Sequence, residues 1–126
     1  TGLDIVHERK PPNNAEDRRT VLEVKNFSRS GQYQDISLSL KRGEVLGLCG
    51  LLGSGRTELA LSLFGITHPD NGELRIEGKP VKLKNNTEAI KHGIGYVSED
   101  RLTLGAILQQ SIADNMVISI LDRLKT

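Results

Sequence analysis

The residues best suited to chemistry are the eight that run Gly50-Leu51-Leu52-Gly53-Ser54-Gly55-Arg56-Thr57. They match the phosphate-cradling pattern G-x-x-x-x-G-K-S/T at every position but one, where arginine stands in for lysine. Glycines at 50, 53 and 55 let the backbone take positive φ and turn its N–H groups inward, which forms a concave nest for phosphate oxygens. A helix following such a loop adds the partial positive charge of its N-terminus. In this pattern the Thr57 hydroxyl is offered to Mg2+ and the residue at position 56 reaches the terminal phosphates. The expected phosphate contacts are therefore Gly50 through Thr57, with Glu58 closing the segment, and Thr57 is the expected metal contact. Arg56 keeps the charge of the missing lysine but presents a planar fork in place of a compact ammonium. Phosphate binding tolerates that exchange better than a tight wrap around the γ-phosphate does. The plain alternative is a Gly/Ser turn with no ligand.

The neighbouring elements must hold this loop in place. Upstream, residues 44–49 form a short apolar run after the turn Lys41-Arg42-Gly43, as a buried strand reads. Downstream, Leu59, Ala60, Leu63 and Phe64 have helical spacing, and Gly65 suits a helix C-cap. The loop is thus expected between a strand and a helix. Before it, Leu22 and Val24 alternate with Glu23 and Lys25, and Ile36, Leu38 and Leu40 alternate with Asp35, Ser37 and Ser39, giving two half-buried strands. After the helix come the turn Pro69-Asp70-Asn71-Gly72, a strand through Leu74 and Ile76, and a second turn at Glu77-Gly78, which reads as antiparallel sheet. Residues 87–92 read as a short helix ended by Gly93, and Ile94-Gly95-Tyr96-Val97 as another buried strand. Ser111-Ile112-Ala113-Asp114 resembles a capping box ahead of Met116, Val117, Ile120 and Leu121, which predicts a closing amphipathic helix.

The chain's 126 residues are one domain at most, and 17 basic against 16 acidic residues leave a net charge of +1. No strong pull toward nucleic acid or anionic lipid follows from that balance, so no nucleic-acid partner is expected. The one cysteine, Cys49, lies in the apolar run and reads as a small core residue in a reducing compartment. No apolar stretch approaches the ~20 residues of a membrane helix and no secretory leader opens the chain, so a soluble cytosolic protein is expected. His7, His68 and His92 read as surface or loop histidines. Residues 1–20, with Pro11-Pro12-Asn13-Asn14 flanked by charge, read as a linker or tail leading into a domain over residues 21–126.

Four segments carry a family resemblance: Ile36-Ser37-Leu38-Ser39-Leu40-Lys41-Arg42-Gly43-Glu44, the phosphate loop, Asn71-Gly72-Glu73, and Gly95-Tyr96-Val97-Ser98-Glu99-Asp100-Arg101. From residue 21 onward the chain resembles the first half of an ATP-binding-cassette (ABC) transporter nucleotide-binding domain. The loop with Glu58-Leu59, together with Ser98-Glu99-Asp100-Arg101, is similar to the second cassette of bacterial monosaccharide importers of the ribose, galactose and xylose type. Those ATPase subunits fuse two cassettes in one polypeptide, and the proline-rich lead-in fits the connector between them.

The resemblance implies an α/β fold: a partial P-loop NTPase cassette of ABC type, with an antiparallel β subdomain and a truncated mixed or parallel core sheet. It implies ATP and Mg2+ as cofactors and ATP-driven sugar uptake as the function of the parent protein. The implied partners are a membrane permease subunit, the second cassette of the same polypeptide and, indirectly, a periplasmic sugar-binding protein. The implied location is the cytoplasmic face of the cell membrane. Glu99 stands where the family has a glutamine that reaches toward Mg2+ and the attacking water; a carboxylate there could bind the metal, repel the γ-phosphate or face solvent, with a structural or coupling role favoured over catalysis, and Glu99 is the second implied metal residue. Phe27 and Tyr33 are the aromatics near the usual adenine-stacking region, and Tyr33 reads as core. In the family, the span corresponding to residues 99–118 leads into a groove for a permease helix, and Leu102, Leu104, Ile107 and Leu108 are apolar there; the equal alternative is that these side chains pack within the domain.

No residue within Thr1–Thr126 matches the family's signature sequence, catalytic base or switch histidine, so no catalytic residue is assigned and the chain alone is expected not to hydrolyse ATP. Arg56 and Glu99 favour a second reading, a nucleotide-sensing or structural cassette without turnover. A phosphate-loop kinase or GTPase is the remaining alternative, disfavoured because such chains open on the phosphate strand.

Overall fold

Residues 19–100 and 102–124 are described by the computed structural model. The expected linker, residues 1–20, falls outside the described residues up to position 18, and Arg101 falls outside them as well. The chain divides into two units, one of residues 19–56 with Pro69–Lys82 and the other of Thr57–His68 with residues 83–124.

The first unit is a sheet built from the alternating segments. Strands β1 (Thr20–Arg29), β2 (Tyr33–Lys41), β3 (Asn71–Ile76) and β4 (Lys79–Val81) pair antiparallel in the order β2-β1-β3-β4. Val24 faces Leu38 on one side and Leu74 on the other, and it is only 1% exposed. The next buried residue on β1 is Phe27, three positions on, where strict alternation would bury an even-numbered neighbour. A bulge restores the face: the register with β2 shifts between Val24 and Phe27, and that with β3 between Lys25 and Ser28.

Asn26 sits in the bulge at φ +50, and Asp35 on β2 takes φ +52, conformations that Asn and Asp tolerate better than most side chains. The two residues hold each other, Asn26 Nδ2 donating to Asp35 Oδ1 at 2.7 Å. Backbone groups freed from the ladder find hydroxyls instead. The Asn26 N–H donates to Ser37 Oγ at 2.9 Å and the Asp35 N–H to Ser28 Oγ at 2.8 Å.

The second unit is helical. Helix α1 (Arg56–Leu63), which belongs to this unit from Thr57 on, buries Leu59 and Ser62, and the Ser62 hydroxyl pairs with that of Thr67 at 2.8 Å. It closes at Gly65 as the sequence predicts, with Gly65 N–H bonded to Ser62 O and Ile66 N–H to Leu61 O, the paired bonds of a Schellman motif. Helix α2 (Asn86–Lys91) starts one residue earlier than expected, because Asn85 caps it by accepting the Glu88 N–H at 3.0 Å. It ends at Gly93 with the same pair of bonds, Gly93 N–H to Ile90 O and Ile94 N–H to Ala89 O.

Three expectations are corrected. Residues 44–49 and 94–97 do not form strands, and no parallel pair exists among the described residues. A strand needs a neighbour for its ladder, and an apolar run of the parallel type needs cover on both faces. The described residues supply neither, so Val45 is 96% exposed and Cys49 is exposed instead of buried. The closing helix arrives in pieces: α3 (Ile112–Val117), a 3-10 turn (Ile118–Ile120) and α4 (Leu121–Leu124). Ser111 accepts the Asp114 N–H at 3.1 Å as a cap should, and its hydroxyl donates to the Asp114 carboxylate at 2.6 Å. With Ile112, Met116 and Leu121 exposed, no buried stripe holds one continuous helix together.

Candidate phosphate-binding site

The loop before α1 is shaped by a tight turn and by two glycines. Ser54 N–H donates to Leu51 O at 3.1 Å, and Gly53 and Gly55 on either side of Ser54 take φ of +78° and +84°. Gly50 does not share that conformation, which corrects the expectation for it. What it contributes is space, since a Cβ there would strike Ser54 Oγ and lie 3.0 Å from Ser54 Cβ.

Gly55 is constrained twice over. Besides its positive φ, it is buried against the turn between β1 and β2. A Cβ would run into the Gln32 carbonyl oxygen and come within 3.1 Å of both Gln32 C and Tyr33 Cβ. That turn is itself closed by Gln32 N–H to Arg29 O at 3.0 Å. The β1–β2 turn thus serves as the wall on which the phosphate loop rests. Gln32 was not legible as part of the site, because a backbone carbonyl leaves no mark in a side-chain pattern.

Leu51 and Leu52 are exposed on the loop, and Arg56 and Thr57 are exposed at the opening of α1. The first N–H groups of a helix have no intrahelical acceptor, so those of Arg56, Thr57 and Glu58 remain available to an anion. Glu58 is half-buried in the first turn. Its carboxylate only accepts hydrogen bonds, so the backbone N–H is the part of Glu58 suited to a phosphate.

Glu99 lies in the second unit, exposed, between two residues that shape its backbone. Asp100 N–H donates to Ser98 Oγ at 3.1 Å, and the Asp100 carboxylate accepts the N–H groups of Leu102 and Thr103 at 3.1 and 3.0 Å together with the Thr103 hydroxyl. Those bonds, the Thr103 hydroxyl first, hold the Asp100 carboxyl below the usual carboxylate range. A depressed carboxyl favours the folded turn above its ordinary pKa and stops doing so as pH falls through the lowered one. The Thr103 amide resonance is therefore expected to move with an inflection below the ordinary aspartate range. Asp100→Asn removes that inflection, and a Thr103 amide that titrates at the ordinary value would refute the turn.

Phe27 and Tyr33 are both buried, Tyr33 as read from the sequence, so neither offers a free ring face for stacking. His68 and His92 are exposed, and His7 lies outside the described residues. No helix among the described residues is long and apolar enough to cross a membrane.

Comparison with known proteins places the chain in a family. The ABC transporter family model matches residues 33–126. The chain is 45% identical over 105 residues to the ribose import ATP-binding protein RbsA of Halalkalibacterium halodurans, covering 83% of this chain and 21% of that protein. It is 38% identical over 122 residues to a putative ribose/galactose/methyl galactoside import ATP-binding protein of Burkholderia lata, covering 97% of this chain and 24% of that protein. The chain thus spans about a fifth to a quarter of the length of these relatives. Among solved structures, a nucleotide-free ATP-binding cassette from an ABC transporter superposes with a TM-score of 0.57 at 21% identity, over 79% of this chain and 46% of that one. That likeness shows the cassette fold, and the family match covers most of the chain, the phosphate loop included. The chain belongs to the ABC transporter family.

Proposed function

We propose that this chain, as residues 21–126, is the N-terminal part of a nucleotide-binding domain that couples ATP to carbohydrate uptake in a monosaccharide importer. The observation that carries the reading is the loop Gly50–Thr57, with Gly53 and Gly55 at positive φ, opening helix α1. The residues present suit ATP and Mg2+. Backbone N–H groups of the loop and first helical turn would hold phosphate oxygens, Arg56 would add charge at the terminal phosphate, and Thr57 with Glu99 would meet the metal. When bound, Mg2+ neutralises charge on the phosphate oxygens. The chain's own residues orient the phosphates and supply donors.

The names of the relatives support sugar import. Such a subunit works at the cytoplasmic face of a membrane, with a permease, a second cassette in the same polypeptide and, through the permease, a periplasmic sugar-binding protein. Leu102, Leu104, Ile107 and Leu108 are exposed on the segment proposed to face the permease.

Calorimetry with ATP and ADP, with and without Mg2+, tests the reading on the 126-residue chain and on the full-length subunit. Saturable ATP binding that Thr57→Ala weakens in the presence of Mg2+ supports it, and no heat of binding from the full-length subunit refutes it. Arg56 and Glu99 favour a second reading, in which this cassette binds nucleotide without turning it over. On either reading phosphate release by the 126-residue chain is expected to stay at background, because none of the assigned residues activates a water for in-line attack. Turnover that disappears in Thr57→Ala would show the expectation to be mistaken.

A further inference from the structure

The chain has only four aromatic side chains, two Phe and two Tyr. Phe27 and Tyr33 are buried in the sheet unit, and the other two are spent on each other. Phe64 and Tyr96 stack with ring centroids 5.5 Å apart and planes inclined by 30°, inside the helical unit.

The location of the pair gives it a use. Phe64 extends α1 by one residue, its N–H bonded to Ala60 O at 3.0 Å, so Thr57 and Phe64 sit at opposite ends of one rigid helix. Tyr96 stands three residues before Glu99, in a segment that belongs to no sheet among the described residues. Without a ladder, side-chain contact must hold such a segment in place. On the far side of Glu99 the turn at Asp100 fixes the local backbone through bonds to near neighbours in sequence, Ser98, Leu102, Thr103 and Leu104. The ring pair ties this segment to the helix that carries Thr57.

We infer that the Phe64–Tyr96 stack braces the Glu99 segment against the phosphate-loop helix, so that Tyr96 and Phe64 are positioning residues for the Glu99 carboxylate toward Mg2+. The inference rests on the nucleotide reading above. Stacking needs the ring and not the hydroxyl, so Tyr96→Phe keeps the brace while Tyr96→Leu and Phe64→Leu remove it.

The test is Mg2+ affinity of the ATP-loaded full-length subunit, measured by titrating magnesium chloride, beside ATP affinity without metal and a melting curve. Tyr96→Leu and Phe64→Leu should each weaken Mg2+ binding about 2- to 10-fold, the scale of one aromatic pair, with metal-free ATP affinity unchanged. Tyr96→Phe should match the parent. Unchanged Mg2+ affinity in both leucine variants overturns the inference. So does an equal loss of ATP affinity with and without metal, or collapse of the fold in both, since each would make the pair ordinary packing. Thr57→Ala is the control that separates the two levels. If it leaves Mg2+ and ATP binding intact, the nucleotide reading fails; if it weakens Mg2+ binding while the ring variants do not, the brace alone fails.

Discussion

Gly55→Ala is expected to weaken ATP binding by the full-length subunit about 100-fold or more, while Arg56→Lys binds ATP at least as tightly as the parent. The asymmetry follows from where each residue acts. At Gly55 the added methyl collides with the Gln32 carbonyl oxygen and crowds Gln32 C and Tyr33 Cβ at 3.1 Å. None of these is the end of a flexible side chain. Tyr33 is buried, and the Gln32 peptide is held by its N–H bond to Arg29 O at 3.0 Å. The loop must therefore move, and it must also leave φ +84°, which costs an L-residue about 1–2 kcal/mol. A shift of even ~1 Å spoils several N–H donors at once, because a hydrogen bond weakens steeply with distance and angle. At Arg56 the change exchanges one cation for another of more compact shape, and the backbone donors stay where they are. Calorimetry decides it, with melting curves to confirm that both variants fold. Equal ATP affinity in Gly55→Ala and the parent would remove the loop from the site.

Much of this was legible because each readable segment carries both its periodicity and its partner. Leu22, Val24, Leu38, Leu74 and Ile76 alternate and pair with one another within the chain, so the sheet forms as read. The helices were legible at their ends, where Gly65 and Gly93 stop α1 and α2 by the bonds their position predicts. The bend of the loop before α1 was legible at Gly53 and Gly55, where positive φ asks for glycine itself. Residues 44–49 and 94–97 failed for the complementary reason: an apolar run records that a strand is possible, whereas its ladder depends on a neighbour that no described residue provides. The bulge at Asn26 lay between these cases. Its trace was the parity change from Val24 to Phe27, but the Asn26–Asp35 pair that stabilises it is a contact across strands.

That bulge sets up the largest expected loss of stability, at Gly72. The residue takes φ +107°, close to the bulged stretch of β1, and a Cβ there would lie 2.6 Å from Lys25 O, 2.6 Å from Phe27 Cδ1 and 2.7 Å from Asn26 O. Relief would require β1 to retreat, yet Asn26 is pinned through its N–H to Ser37 Oγ and through its side chain to Asp35, while Phe27 is only 3% exposed. Gly72→Ala is therefore expected to combine an unfavourable backbone conformation with overpacking and to cost about 3 kcal/mol or more, a large share of a small domain's stability. Gly78, in the turn from β3 to β4, is the matched control. It takes φ +77°, but a methyl group added there would meet nothing within 4 Å, so Gly78→Ala should cost only the backbone term, about 1 kcal/mol. Urea unfolding of the 126-residue chain, followed by far-UV circular dichroism, measures both midpoints under the same conditions. If the two variants lose equal stability, backbone conformation alone explains both, and the close approach of β1 to β3 at the bulge is not what holds the sheet in register.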